Sequence, residues 1–197
     1  MPSKDIFVSL GANTRGCWGA PPVTLCRSLR ELERCGVNIV ACSPVYLTRP
    51  HTHAGLMPVF YNAVAALRTD LAVGSLLRLL KSIERRAGRR ASPRWSRRPL
   101  DLDIIDHGGR IINWPALTGA GGPIVLPHPL MHRRGFVLVP LTEVAPGWRH
   151  PVLGTSATDL LRRTPGLRRG VIRVDRSPTG QSQPLCVSNS VLAEPPP

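Results

Sequence analysis

The chain has 197 residues, 42% of them hydrophobic, and a formal net charge of +14. This length suits one domain with a substantial core, and the sequence has neither an internal repeat nor an apolar run of about 18 residues, which argues against a solenoid or a membrane-spanning helix. The five cysteines form no Cys-x-x-Cys pair, so no disulfide framework or zinc site is indicated. Because the N-terminus leads directly into a strand pattern, we expect a cytoplasmic protein with reduced thiols.

The positive charge is mostly arginine, and Lys4 and Lys81 are the only lysines. Basic patches bind nucleic-acid backbones, but two tyrosines and three phenylalanines leave few rings for stacking on bases. The arginines are densest between Arg85 and Arg98, and arginine side chains suit the phosphate oxygens of a smaller anion. We therefore expect a nucleotide as partner, and neither a nucleic acid nor a membrane.

The first half of the chain predicts three strands and two helices. Runs of apolar and alternating residues predict strands over residues 6–10, 37–46 and 60–67. Apolar residues with a 3.6-residue period predict helices over residues 23–35 and 73–87. The loop after the second strand contains His51 and His53, which could bind a metal only with a third donor, and a solvated loop is the alternative.

The second half begins with an arginine-rich loop that runs into a short apolar strand. Shorter apolar segments predict strands over residues 100–105, 110–112 and 171–174, and helices over residues 137–144 and 156–163. The segment after Ser177 is rich in Pro, Ser and Gln, and it cannot bury enough apolar area to fold. We expect one domain over residues 1–175 and a disordered tail over residues 176–197.

The order strand, helix, strand, strand, helix, strand is typical of a ferredoxin-like sandwich. This is an α+β fold with a mostly antiparallel sheet and helices packed on one face. The open face of the sheet is then the expected place for a functional site.

Asp101 and Asp103 stand two residues apart in the predicted strand. Side chains at i and i+2 project from the same face, so the two carboxylates point together while Leu102 and Ile104 point into the opposite layer. Two converging carboxylates favour a hard cation, and paired carboxylates that share substrate phosphates are a common way to hold Mg²⁺. The alternative is an edge strand whose aspartates pair with Arg97 and Arg98.

Six segments, in this order, resemble the 6-hydroxymethyl-7,8-dihydropterin pyrophosphokinases of folate synthesis. They are Val8-Ser9-Leu10-Gly11-Ala12-Asn13, Ser43-Pro44-Val45-Tyr46-Leu47-Thr48, Phe60-Tyr61-Asn62-Ala63-Val64, Ile83-Glu84 with Gly88-Arg89, Arg98-Pro99-Leu100-Asp101-Leu102-Asp103-Ile104, and Leu126-Pro127-His128-Pro129 with Arg134-Gly135-Phe136-Val137-Leu138. The resemblance covers about residues 6–154. It implies transfer of pyrophosphate from ATP to the pterin hydroxymethyl group with release of AMP, by an enzyme that we expect to be a monomer.

The resemblance also implies roles for individual residues. Asp101 and Asp103 would coordinate two Mg²⁺ ions that bridge the ATP phosphates. On the ATP side, the implied phosphate ligands are Arg89, Arg98, Arg134 and His128, and the implied lining of the nucleotide pocket is Lys81, Glu84 and Ile104. On the pterin side, Phe60 and Phe136 would sandwich the ring, and Asn62 would bind its polar edge with help from the backbone at Thr48. Trp95 would close over the site.

Two other classes of protein use some of these features. A glycosyltransferase can hold a nucleotide-sugar through a metal at a D-x-D motif, but such enzymes generally need a larger nucleotide-binding fold. A ferredoxin-like RNA-binding module would explain the charge without catalysis, but it would place aromatic residues on central strands and has no use for paired aspartates. Binding to random RNA without ATP consumption would favour the second class.

Overall fold

The computed structural model describes residues 5–49, 58–90, 97–114 and 124–174. The strands are β1 Ile6–Ala12, β2 Asn38–Cys42, β3 Tyr46–Thr48, β4 Phe60–Arg68, β5 Asp101–His107 and β6 Val171–Arg173. The helices are α1 Pro21–Arg34, α2 Val73–Arg86, α3 Gly135–Val144 and α4 Ala157–Arg163. Among these residues, the structure contains no helix that is both long and apolar enough to span a membrane.

The strands form one antiparallel sheet in the order β5-β1-β4-β3-β6, and β2 also pairs with β4. The predicted strand over residues 37–46 is therefore two short strands, β2 and β3, that follow each other along β4 on either side of Pro44. The predicted strand over residues 110–112 is wrong, because only Ile112 pairs, through a single bridge to Leu126. Residues 110–112 do not continue the sheet because the chain turns at Gly108 and Gly109, which directly follow β5 and both have positive φ angles.

The first face of the sheet is covered by α1 and α2. Their apolar stripes, which include Leu25, Leu29, Leu76, Leu80 and Ile83, are fully buried against alternate residues of β1, β4 and β5. Burial of these stripes is the main reason why the 3.6-residue pattern forms helices here, since an isolated helix of this length is marginal in water. This face is the main core of the protein.

The second face is partly covered by α3 and α4, which form a smaller core with Phe7, Val64 and Ile105. The α+β class and the antiparallel sheet are thus confirmed, but the helices do not lie on one face only. At the start of α3, Gly135 approaches the backbone so closely that a Cβ would lie 1.6 Å from the carbonyl oxygen of Leu167. Among the described residues, these two helices do not cover the end of this face near Asp101. There the alternation of β5 continues from Ile105 to Asp103 and Asp101.

The predicted tail over residues 176–197 lies outside the described residues. The boundary between a domain and a disordered tail stays a prediction.

Candidate active site

The uncovered part of the second face carries a row of residues from neighbouring strands. Asn62 of β4 pairs in register with Tyr46 of β3 and with Gly11 of β1. Gly11 pairs in turn with Asp101 of β5. Because paired residues project to the same face, the amide of Asn62 and the carboxylate of Asp101 stand on that face with Gly11 between them. Two strand spacings separate them, a distance of about 10 Å.

Gly11 keeps the space between these two side chains open. A Cβ at this position would lie 3.4 Å from Asn62 Oδ1 and 3.8 Å from Asp101 Cβ. Glycine inside a strand often marks a close approach by a ligand or by another part of the chain. The sequence pattern ended the first strand before Gly11, so the role of this residue was missed, although a glycine flanked by strand residues was the available signal.

The two aspartates project to the same face, as predicted, but their surroundings differ. Arg89 donates a hydrogen bond to Oδ1 of Asp101, and Arg98 donates one to Oδ2. The side chain of Asp101 is 18% exposed and that of Asp103 is 36% exposed. The alternative, in which the aspartates pair with Arg97 and Arg98, is therefore confirmed for Arg98. The second arginine bound to Asp101 is Arg89.

Glu84 connects the cations beside this strand. Its Oε1 accepts hydrogen bonds from Lys81 Nζ at 2.8 Å and from the backbone N–H of Leu102 at 2.7 Å. Arg89 Nη1 lies 2.9 Å from the same oxygen. Lys81 also donates to the carbonyl oxygen of Leu102 at 3.1 Å and lies 3.6 Å from Asp103 Oδ1. One carboxylate of α2 thus organises two cations and the backbone of β5.

The pKa values of Asp101 and Glu84 are shifted in opposite directions. Burial alone would raise the pKa of Asp101, but the charges of Arg89 and Arg98 outweigh it and hold this pKa below its ordinary value. Burial raises the pKa of Glu84, although the charge of Lys81 opposes the rise. Asp101 is therefore firmly ionised at neutral pH.

His128 and Arg134 approach the same carboxylates from the segment that precedes α3. His128 Nδ1 accepts a hydrogen bond from the backbone N–H of Leu130 at 3.1 Å, and Arg134 Nη1 lies 3.4 Å from Nε2 of the same ring. Burial and the nearby charge of Arg134 lower the pKa of His128, while Asp103 opposes them. The Arg134 guanidinium also lies over the Phe136 ring, with Cζ 5.8 Å from the ring centroid. This arrangement places a buried imidazole beside a positive charge.

Asp101 and Asp103 fit only part of a metal coordination shell. Within the described parts of the chain, no group of three or more histidine, cysteine or acidic side chains could hold a metal ion. Mg²⁺ is commonly held by one or two carboxylates together with substrate phosphates and water. Two aspartates on one face, with Asp103 open to solvent, match that donor set.

A comparison with protein families identifies this arrangement. The model of the 7,8-dihydro-6-hydroxymethylpterin-pyrophosphokinase (HPPK) family matches residues 7–146. The chain belongs to the HPPK family. The HPPK match contains every side chain of the site described above, whereas α4 and β6 lie beyond its end.

Individual proteins with known names agree with the HPPK assignment. A 2-amino-4-hydroxy-6-hydroxymethyldihydropteridine pyrophosphokinase from Pseudomonas aeruginosa is 38% identical over 149 residues, which cover 75% of this chain and 85% of the relative. A folic acid synthesis protein from Dictyostelium discoideum is 42% identical over 148 residues, but the match covers only 20% of that longer protein. A crystal structure of Plasmodium falciparum HPPK-DHPS has a TM-score of 0.61 at 14% identity and matches 87% of this chain and 47% of that one. At this identity the solved structure supports the fold alone.

The structure brings the expected pterin residues of β3 and β4 together. Asn62 Nδ2 donates a hydrogen bond to Thr48 Oγ1 at 2.8 Å, and Thr48 pairs in register with Phe60. Phe136 is the second residue of α3, which covers the same face of the sheet. Stacking of a ring between Phe60 and Phe136 stays a prediction.

Three expected site residues are placed differently or lie outside the described residues. The side chain of Ile104 is buried in the core between the sheet and the first two helices, so only its backbone could face a nucleotide. The side chain of Glu84 is 3% exposed, which leaves it little surface for a nucleotide. Trp95 lies outside the described residues, as do His51 and His53.

Proposed function

We propose that this protein transfers the pyrophosphoryl group of ATP to 6-hydroxymethyl-7,8-dihydropterin and releases AMP, which is the pyrophosphokinase step of folate biosynthesis. The HPPK family match and the names of the relatives support this proposal. The observation that carries it is the row from Asn62 across Gly11 to Asp101, because it sets an amide that can read a heterocycle beside carboxylates that can hold a metal.

The ion pairs between described residues at this site are balanced in charge before any substrate binds. They join three carboxylates, from Glu84, Asp101 and Asp103, to three cations, from Lys81, Arg89 and Arg98. Adding Mg²⁺ alone would leave excess positive charge, whereas Mg²⁺ and ATP together add nearly balanced charge. The site therefore favours metal and nucleotide together.

Arg89 and Arg98 act first as partners of Asp101 and then as ligands of phosphate. Each arginine binds one oxygen of Asp101, so both arginines compete with a metal ion for this carboxylate until they move. Guanidinium groups bind phosphate oxygens with fork geometry, which gives both side chains an alternative partner when ATP arrives. His128 and Arg134 supply further contacts to the phosphates.

Two Mg²⁺ ions, held by Asp101 and Asp103, would neutralise charge on the phosphates during the transfer. The chain's own residues then determine position. Transfer needs the hydroxymethyl oxygen in line with the β-phosphorus and the bridging oxygen of AMP, and correct alignment of two reactants supplies a large part of the rate. The new bond joins the hydroxymethyl oxygen to the β-phosphorus as the bond to AMP breaks.

Asn62 and its neighbours position the pterin. Because Nδ2 of Asn62 donates to Thr48, the amide orientation is fixed and Oδ1 faces the space over Gly11. That oxygen accepts an N–H of the pterin edge, while Phe60 and Phe136 contact its flat faces. The strands of Asn62 and Asp101 lie about 10 Å apart, so a bicyclic ring that binds over Gly11 on this face can extend from Asn62 towards Asp101.

A direct assay tests this function. The protein is incubated with ATP, MgCl₂ and 6-hydroxymethyl-7,8-dihydropterin, and the products are followed by phosphorus NMR. We expect AMP and the pterin diphosphate in equal amounts, with no AMP when the pterin is omitted. Formation of ADP would contradict pyrophosphoryl transfer, and salt-dependent binding of random RNA without ATP consumption would favour an RNA-binding module. The monomeric state and the cytoplasmic location stay predictions.

A further inference from the structure

The free edge of β5 is completed by side chains of α2. Among the described strands, β5 stands at one end of the sheet and pairs with β1 alone. At Leu102 both outward backbone groups are nevertheless bonded, since the N–H donates to Glu84 and the carbonyl oxygen accepts from Lys81. Two side chains of one helix therefore take the place of a neighbouring strand, at the one residue that separates Asp101 from Asp103.

We propose that Glu84 is a positioning residue for the transfer reaction: it fixes the backbone between Asp101 and Asp103 and holds Lys81 and Arg89 in place, without contacting ATP. The inference rests on the proposed function. It assigns to this glutamate a different task from the nucleotide contact that its place in the family motif implies.

The geometry of Glu84 excludes a ligand role for the oxygen that is used. Oε1 already faces three donors, at 2.7 Å, 2.8 Å and 2.9 Å, from Leu102, Lys81 and Arg89. An ionised carboxylate has about four acceptor positions in total, so this oxygen has no position left for a substrate group. With the side chain only 3% exposed, the other oxygen is also enclosed by protein.

Loss of Glu84 would affect both aspartates at once. Lys81 already lies 3.6 Å from Asp103, and Arg89 already binds Asp101. Without the glutamate, both cations would settle on the aspartates and compete with the divalent ion for their oxygens. In addition, the Leu102 N–H would lose its acceptor at the sheet edge, so the backbone between the aspartates would become less ordered.

Two variants separate these effects. Glu84→Gln keeps an oxygen for the Leu102 N–H but removes the charge that restrains the cations, whereas Glu84→Ala removes both. Glu31 offers a matched control, because it is equally buried on α1 and bound by Arg34 and Arg86, away from the aspartates. Glu31→Gln and Glu31→Ala should therefore lower stability without changing the site.

The first measurement is amide hydrogen exchange at Leu102 in the protein without substrates, followed by NMR. We expect protection of this amide to be kept in Glu84→Gln, lost in Glu84→Ala, and unchanged in both Glu31 variants. Equal protection in wild type and Glu84→Ala would overturn the proposal. This measurement does not depend on activity, so it stays informative if the wild-type protein releases no AMP, a result that would instead reject the proposed function.

The second measurement compares kcat with the affinity for a non-hydrolysable ATP analogue. We expect kcat to fall about tenfold in Glu84→Gln and about a hundredfold in Glu84→Ala, while the Kd for the analogue weakens less than about threefold. A loss of analogue binding as large as the loss in kcat would mean that Glu84 contacts the nucleotide, and the proposal would be wrong. If Glu84→Ala does not fold, Glu84→Gln still shows whether kcat falls more than the affinity for the analogue or whether both fall equally.

Discussion

Asn13 and Arg98 are joined by two hydrogen bonds, one in each direction. The backbone N–H of Asn13 donates to the carbonyl oxygen of Arg98 at 3.0 Å, and the backbone N–H of Arg98 donates to Asn13 Oδ1 at 2.6 Å. Four residues later, the N–H of Cys17 donates to the carbonyl oxygen of Ala87 at 3.1 Å. The connection after β1 thus holds both ends of the segment that carries Arg89 and Arg98.

The first prediction follows from this pair. Asn13→Ala removes the acceptor of the Arg98 N–H, which costs about 1–3 kcal/mol of stability, and it lets the Arg98 side chain drift from its position beside Asp101. We expect binding of an ATP analogue to weaken about tenfold, measured by calorimetry, since a charge-assisted contact between Arg98 and a phosphate would lose its geometry.

Ser43→Ala is the matched control for this variant. Ser43 Oγ accepts a hydrogen bond from the backbone N–H of Val64 at 3.0 Å, away from the arginines. Its loss should lower the free energy of unfolding by a similar amount and leave nucleotide binding unchanged. If both variants weaken ATP binding equally, the effect is general destabilisation and Asn13 has no specific part in holding Arg98.

Alternation along single strands predicted much of this site correctly. It placed Asp101 and Asp103 on one face and Ile104 in the opposite layer, and the structure confirms both. The resemblance to a family gave Ile104 a place in the lining of the nucleotide pocket, and because its side chain is buried, only its backbone could take that place. The local pattern predicted the direction of the side chain because that direction is fixed by the backbone period of a strand.

Relationships between elements could not be predicted in this way. The position of Gly11 between Asn62 and Asp101 depends on the register of three strands, and register is set by pairings distant in sequence. Burial of Glu84 depends on how closely α2 docks beside β5. The sequence does not mark this burial, because Glu84 stands beside Lys81 and Arg85 and charged residues on a helix are usually exposed.

The second prediction concerns the two aspartates. Asp101→Ala or Asp103→Ala should lower turnover by several orders of magnitude, since each removes metal binding and charge neutralisation together. The structure also predicts that the two aspartates affect nucleotide binding differently in the absence of Mg²⁺. Asp101→Asn releases Arg89 and Arg98, so it should bind metal-free ATP analogue more tightly than wild type, whereas Asp103→Asn should change this affinity less. Near-normal turnover in either alanine variant would reject the metal assignment.

The third prediction concerns the pterin. Asn62→Ala removes Oδ1 from the desolvated space over Gly11 and should cost about 1–3 kcal/mol in pterin binding, with ATP binding nearly unchanged. Thr48→Val removes the acceptor that orients the amide and should cause a smaller loss, while Thr48→Ser retains it. Calorimetry with each ligand separately measures both effects. Equal losses for pterin and ATP would contradict the division of the site.

The fourth prediction concerns His150, which lies far from the aspartates in sequence and packs among other aromatic rings. Its ring is 1% exposed, and Trp114, His132 and Trp148 surround it with ring centroids at 5.0, 5.8 and 5.8 Å. Nδ1 accepts from the backbone N–H groups of Val152 and Leu153, both at 3.2 Å. Nε2 has no hydrogen-bond partner among the described residues, so a proton added to this ring would bring a buried charge.

Burial, with a further contribution from His132, lowers the pKa of His150 to about 4 from its ordinary value of 6.5. Between these two values the unfolded chain binds a proton that the folded protein excludes. This contribution to stability is therefore fully present above pH 6.5 and is lost as the pH falls from 6.5 towards 4. For a shift of this size, we expect a loss of about 2 kcal/mol between pH 7 and pH 5. Other groups also titrate in this range, so the difference between wild type and His150→Phe isolates the contribution. Urea unfolding at both pH values should give a smaller pH dependence in His150→Phe, and an identical dependence in the two proteins would show that His150 is not the group responsible.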